Sequence, residues 1–187
     1  MQNFDLQPEL FGEMLLLRPL RADDFDSLYS VASDPLVWEQ HPERNRYERD
    51  IFQKFFQGAL DSKGALLVLD AKTDEVIGSS RFTGLDMESG QVEVGYTFLA
   101  RGYWGKGYNA EMKKLMLAHA FQYVDRVVFH IGEKNFRSRR AIEKIGARLL
   151  EKIERQPTTG AKYFSVIYGI ERSSWREKPI AKQNTVY

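Results

Sequence analysis

The sequence predicts an α/β (α+β) protein of one domain: a mixed, mostly antiparallel sheet of about six or seven strands with flanking helices. Three observations carry this. Two hairpin patterns stand on either side of the middle of the chain. Between them a strand runs through a glycine-rich turn into a helix and on to a second strand, which implies a parallel pair joined by a right-handed crossover. The 187 residues, 43% of them hydrophobic, are enough for one core of ordinary composition.

Met14–Arg18 is a short apolar run stopped by Pro19 and reads as the first strand. Ala22-Asp23-Asp24 offers an N-cap and first-turn acids for a helix reaching Ala32, and Asp34-Pro35 breaks it. Leu36–Arg46 is irregular. Tyr47–Leu60 spaces Ile51, Phe55 and Phe56 near helical intervals, and Gly64 ends that helix. Ala65–Asp70 and Val76–Phe82 flank the turn Lys72-Thr73-Asp74-Glu75 as a hairpin. A turn at Met87–Gly90 then leads into the strand that organises the rest.

In that strand Val92, Val94, Tyr96 and Phe98 alternate with Glu93, Gly95 and Thr97, a period of two. Gly102, Gly105 and Gly107 crowd the turn that follows. From Gly107 a helix runs toward Val124, with Met112, Met116, Leu117, Ala120 and Phe121 covering so much of its surface that it is expected to be largely buried. The first N–H groups of a helix lack partners within it, and its dipole is positive there. A strand, a glycine turn and a helix therefore suit an anion, held by the backbone N–H groups of Gly105, Lys106, Gly107, Tyr108, Asn109 and Ala110. A tight connection with no ligand is the competing reading, since a lone G-x-G decides little.

Arg126–Ile131 is a strongly β-branched strand. Asn135–Ile145 reads as a short helix with Asn135 as N-cap and Gly146 past its end. Arg148–Arg155 and Lys162–Ile170 form a second hairpin about Pro157–Gly160. Residues 1–175 are thus one domain, and residues 176–187 a tail.

Composition excludes several classes. The net charge is +1, so nothing pulls the whole chain toward nucleic acid or an anionic membrane. No apolar run approaches the ~20 residues that span a bilayer. The acidic N-terminus has no basic region of a secretory signal, and a cytoplasmic location is expected. Cysteine is absent, which removes disulfides, thiolate zinc sites and a cysteine nucleophile. No metal site is expected, because no His/Asp/Glu cluster has ligand spacing. His41, His119 and His130 read as a loop histidine and two structural ones. Trp38, Phe52, Phe55 and Phe56 read as core or as the wall of a groove.

Three segments at fixed order carry a resemblance: Glu93-Val94-Gly95-Tyr96; Tyr103-Trp104-Gly105-Lys106-Gly107-Tyr108-Asn109-Ala110-Glu111; and Asn135-x-x-Ser138 running to Lys144-Ile145-Gly146. Tyr168-Gly169-Ile170 and Trp175 add to it. On these the chain resembles the GCN5-related N-acetyltransferase (GNAT) superfamily, within it the ribosomal-protein alanine and serine N-acetyltransferases. The resemblance implies acetyl-CoA as cofactor. The pyrophosphate would sit on the segment Trp104 to Asn109, where Asn109 departs from the family's small residue. It also implies that the two parallel strands splay in a V beside the cofactor. The thioester would then lie near Tyr96, Phe98 and Leu99, with Asn135 and Ser138 on the other wall.

The resemblance and the missing cysteine point to direct attack of an amine on the thioester, with a backbone N–H of the organising strand on the oxyanion. At pH 7 a lysine amine costs about 4.6 kcal/mol to deprotonate, an α-amine about 1. A protein N-terminal α-amine is therefore the favoured acceptor, and Glu93 is the expected base, acting through water. Family members often protonate the thiolate with a tyrosine at the position of Ile142. Here Ser138 takes that place and is expected to hydrogen-bond the sulfur, with Asn135 beside it. Other small amines (an aminoglycoside, a polyamine, an amino acid), a CoA-binding regulator without catalysis and a nucleotide-phosphate module stay open, though the last lacks the Gly-Lys-Ser/Thr of a P-loop. Monomer and homodimer are equally open.

Overall fold

Leu15, Leu17, Leu66 and Val68 are fully buried, and they meet because the strands that carry them pair antiparallel with Leu17 opposite Val68. Their strands open the sheet of the computed structural model, which describes residues 3–155 and 162–175. The order along the chain is β1 (Leu10–Phe11), β2 (Leu15–Pro19), α1 (Phe25–Ala32), α2 (Arg49–Asp61), β3 (Ala65–Asp70), β4 (Val76–Asp86), β5 (Gln91–Leu99), α3 (Tyr108–Ala120), β6 (Arg126–Gly132), α4 (Phe136–Lys144), β7 (Arg148–Arg155) and β8 (Tyr163–Glu171). The described strands form one eight-stranded sheet in the order β1-β2-β3-β4-β5-β6-β8-β7, antiparallel throughout except for β5 beside β6.

The mixed sheet expected from the sequence is present. Its eighth strand, the two-residue β1, is too short to show a period. Helix starts moved slightly: a 3-10 turn occupies Ala22–Asp24 before α1, and α2 begins at Arg49. Val124 is buried but lies past α3, whose last turn closes when the Tyr123 and Val124 N–H groups donate to Ala120 O. The Pro157–Gly160 turn and the tail 176–187 lie outside the described residues.

Two cores sandwich the sheet. On one face Met112, Met116, Leu117 and Ala120 of α3 pack with Ile142 of α4 against Val92, Val94 and Val127. On the other, Leu28 of α1 and Phe52 and Phe56 of α2 pack on Ala65, Leu67 and Phe98. His119 is buried as a structural histidine: its Nε2 meets Asp5 O at 2.7 Å, and Phe4, Phe82 and Tyr123 ring it.

At Gly78 the backbone of β5 leaves no room for a side chain on β4. A Cβ there would stand 2.1 Å from Phe98 O, a backbone atom that cannot swing away. Gly78→Ala is therefore expected to cost about 2 kcal/mol or more in urea unfolding, with an unchanged m-value.

Candidate active site

Strands β5 and β6 pair only through Gln91–Glu93 and Arg126–Val128. Beyond that they separate, which leaves the edge of β5 from Val94 onward without a partner on that side. The cause is local. Against β4 the register jumps, with Arg81 opposite Gly95 but Ser79 opposite Phe98, so β5 carries one extra residue there. Tyr96 takes it up with φ of +54°, a conformation that costs a non-glycine residue of order 1–3 kcal/mol and clusters at functional sites.

The bulge corrects the simple alternation read from the sequence. Val92 and Val94 point into the α3 core, but Phe98 belongs to the opposite core with Trp38 and Phe52. Tyr96 lies half-exposed, with the Arg81 guanidinium 4.1 Å from its ring centroid.

The split encloses a cavity of about 250 Å³. Tyr96, Phe98 and Leu99 line one side, Phe129, Ile131, Asn135, Ser138 and Ile142 the other, and Trp104, Gly105, Asn109 and Lys113 the end nearest α3. At that end the glycine turn is built as the sequence suggests. Gly105 and Gly107 have φ of +73° and +92°, and Gly107 is the N-cap of α3 with no side chain capping the helix. The α4 start differs, because Asn135 Oδ1 accepts from the Ser138 N–H at 3.2 Å. The uncapped, glycine-wrapped start of α3 at the mouth of a split fits a diphosphate with an extended arm. Tyr108 faces away: its hydroxyl donates to Asp70 Oδ2 at 2.8 Å. Lys106, Gly107, Tyr108 and Ala110 do not line the cavity itself; of these, Lys106, Gly107 and Ala110 are exposed at its mouth.

Trp104 is fixed from two sides. Its Nε1 donates to Leu99 O at 2.8 Å, and the Arg137 guanidinium lies 3.9 Å from its ring. Arg137 also donates to Val37 O at 3.0 Å, so this arginine ties α4 to both the glycine turn and the 3-10 turn Pro35–Val37. Arg139 is structural, donating to Tyr168 Oη and Glu133 O. Arg140 is exposed.

The far wall comes from the irregular segment before α2. Trp38 is buried, donates through Nε1 to Ala32 O, and serves both as core and as cavity wall. His41 is no plain surface histidine: it lines the cavity, and burial, then the nearby Arg46 charge, pulls its pKa down to about 3, so it is neutral at pH 7. Buried Arg46 pairs with Glu43 and lies over the rings of Phe55 and Trp38.

Glu93 does not line the cavity. It is half-buried at the closed end of the split, where β5 still pairs with β6. Burial raises its carboxyl above the usual range, opposed by the charges of His130, Arg155 and Arg81. His130 does line the cavity, with Arg155 Nη2 at 2.6 Å from its Nδ1.

Sequence reasoning missed Lys113. It is buried to 3% exposure, and its Nζ donates to Thr97 Oγ1 at 2.5 Å and Ser80 Oγ at 3.3 Å. Burial pulls its pKa down to about 7. The signal was available: Lys113 stands four residues after Asn109, one turn along the same helix face.

Residues 14–148 match the sequence profile of the acetyltransferase (GNAT) domain. The chain is 32% identical over 117 residues to the uncharacterized N-acetyltransferase p20 of Bacillus licheniformis, a match that covers 60% of this chain and only 65% of that relative. A GCN5-related N-acetyltransferase from Brucella melitensis shares the fold with a TM-score of 0.80, at 21% identity over 90% of this chain and 80% of its own. So does a spermidine N-acetyltransferase from Vibrio cholerae, solved with CoA and spermine, with a TM-score of 0.67 at 16% identity over 87% of this chain and 98% of its own. With a profile match over more than half its length, the chain belongs to the GNAT acetyltransferase domain family.

Proposed function

We propose that the chain is an acetyl-CoA-dependent N-acetyltransferase that passes the acetyl group to a primary amine, a protein N-terminal α-amine being favoured, by direct attack in a ternary complex. The observation that carries this reading is the split itself. An uncapped helix start wrapped in left-handed glycines opens onto a cavity between two strands that pair over only three residues. The first N–H groups of α3 hold the diphosphate, and the free edge of β5 holds the arm. Its backbone N–H groups beside Tyr96 face the position of the thioester oxygen. Acetyl-CoA supplies an activated acyl group that an unprotonated amine can take without a covalent enzyme intermediate.

Glu93, with its raised carboxyl, receives the amine proton through water by way of the His130 side of the cavity. Ser138 hydrogen-bonds the sulfur, and Asn135 holds Ser138 in place by capping α4. Ser138→Ala is expected to lower kcat about five- to tenfold with little change in KM for acetyl-CoA. An unchanged kcat and pH profile in steady-state assays would remove that role.

One observation bears on the acceptor. Among the described residues no carboxylate lines the cavity, whereas Arg46, Lys113 and Arg137 do. A polyamine brings several positive charges and finds no counter-charge among those lining residues, while a single α-amine needs only one proton removed. Thermal shift with acetyl-CoA, followed by CoA release against N-terminal peptides, polyamines, aminoglycosides and amino acids, tests the reading. Turnover with peptides supports it. Stabilisation without turnover on any amine indicates a CoA-binding regulator, and no stabilisation overturns the assignment.

A further inference from the structure

Among the described residues, Lys113 lines the cavity as a buried amine with no opposite charge beside it. Its ammonium is enclosed by Ser80 Oγ from β4, Thr97 Oγ1 from β5 and the Phe129 ring of β6 at 5.9 Å. None of these is titratable. His130 of β6 lines the same cavity, but no neighbouring charge contributes to the lowered pKa of Lys113, which burial alone causes. Arg46 has Glu43 and Arg137 has Glu39 within 3.6 Å, but Lys113 has only two hydroxyls. A buried cation without a partner is costly, by several kcal/mol in proteins. It lines the same cavity as Ser138 and Ile142, at the end nearest α3.

A negative charge delivered by the reaction would fill that vacancy. In acyl transfer from a thioester such a charge develops once, on the departing sulfur. Resting on the acetyltransferase reading, we propose that the Lys113 ammonium is the proton donor to the CoA sulfur, the duty that Ile142 cannot perform.

The balance is simple. The amine lone pair forms the C–N bond, the C–S bond breaks, and its electron pair goes to sulfur. Nζ gives that sulfur a proton, so CoA leaves as a thiol. The proton lost by the new amide nitrogen reaches solvent through the Glu93 side, and solvent returns one to Nζ. An ammonium near 7 is a stronger acid than a thiol near 8.5, so the transfer runs downhill. Ser138 and Lys113 then share the sulfur, one holding it and the other supplying the proton.

The test compares the parent with Lys113→Met, which keeps length and removes charge, and with Lys113→Gln. Two readouts are needed. In steady state kcat should fall about tenfold with KM for acetyl-CoA within about twofold, and the limb of the pH profile on which activity falls as Lys113 loses its proton should disappear. In binding, nitrogen-15 NMR of labelled lysines should show one Nζ, absent from both variants, that titrates near 7 and shifts when CoA but not desulfo-CoA is added. A parent that binds no acetyl-CoA defeats the acetyltransferase reading itself. A parent that binds and turns over, with variants matching its kcat and pH profile or with no Nζ that responds to CoA, overturns the role of Lys113 alone.

Discussion

Gly107→Glu is expected to weaken acetyl-CoA binding at least about 100-fold in calorimetry, a loss of about 2.7 kcal/mol. Two effects add. Gly107 has φ of +92°, and a side chain there costs of order 1–3 kcal/mol unless the turn relaxes away from the diphosphate. A carboxylate at the start of α3 also competes for the N–H groups that no side chain now caps. The space itself is tolerant, since a Cβ would meet Met14 Cε at 3.3 Å, the end of a flexible chain. Acid at a helix start favours the helix, so the melting temperature should fall only slightly. Gly107→Ala separates the contributions: it keeps the strain without the charge and should lose about tenfold. A Gly107→Glu protein that binds acetyl-CoA within threefold of the parent would show that the diphosphate is held elsewhere.

Lys113→Met should stabilise the ligand-free protein, and by an amount that depends on pH. The folded pKa of about 7 lies below the ordinary 10.5. Below pH 7 both folded and unfolded chains carry the proton, and the folded state bears the full cost of an enclosed charge. Between about 7 and 10.5 the unfolded chain still holds the proton that the folded one has released, so the parent gains stability as pH rises through that window. The shift sets a ceiling of roughly 5 kcal/mol. Losing the contacts to Thr97 and Ser80 reduces the net gain to about 2 or 3. Urea unfolding at pH 6 should therefore favour Lys113→Met by that amount, and by pH 10 the parent, having gained about 4 kcal/mol, should be the more stable of the two by about 1 or 2. A gain independent of pH would mean that Lys113 is already neutral at pH 6.

Both expectations concern α3, yet they differ in how far the sequence foretold them. Gly107 stood out because a turn between strand and helix needs a residue free of Cβ. Asn135 stood out because three residues later an unpaired N–H needs an acceptor, and the structure shows that bond at 3.2 Å. Lys113 did not stand out. A lysine in a helix with neighbouring Lys114 looks like solvated surface, and only the fit of α3 into the concave face of the sheet encloses it. His41 and Arg46 were hidden for the same reason, in a segment without period whose path is set by docking against Trp38 and Phe55.

Hydrophobic spacing, turn residues and caps act within a few positions of one another, and they were enough to find seven of the strands, the four helices and the glycine turn, and to order the parallel pair. The faces of β5 beyond Gly95 were a different matter. One added residue turns every later side chain over, and no local pattern announces it. Pairing with β4 alone determines where that residue enters, and so where β5 leaves β6, because backbone hydrogen bonds between strands distant in sequence are satisfied only in the assembled sheet.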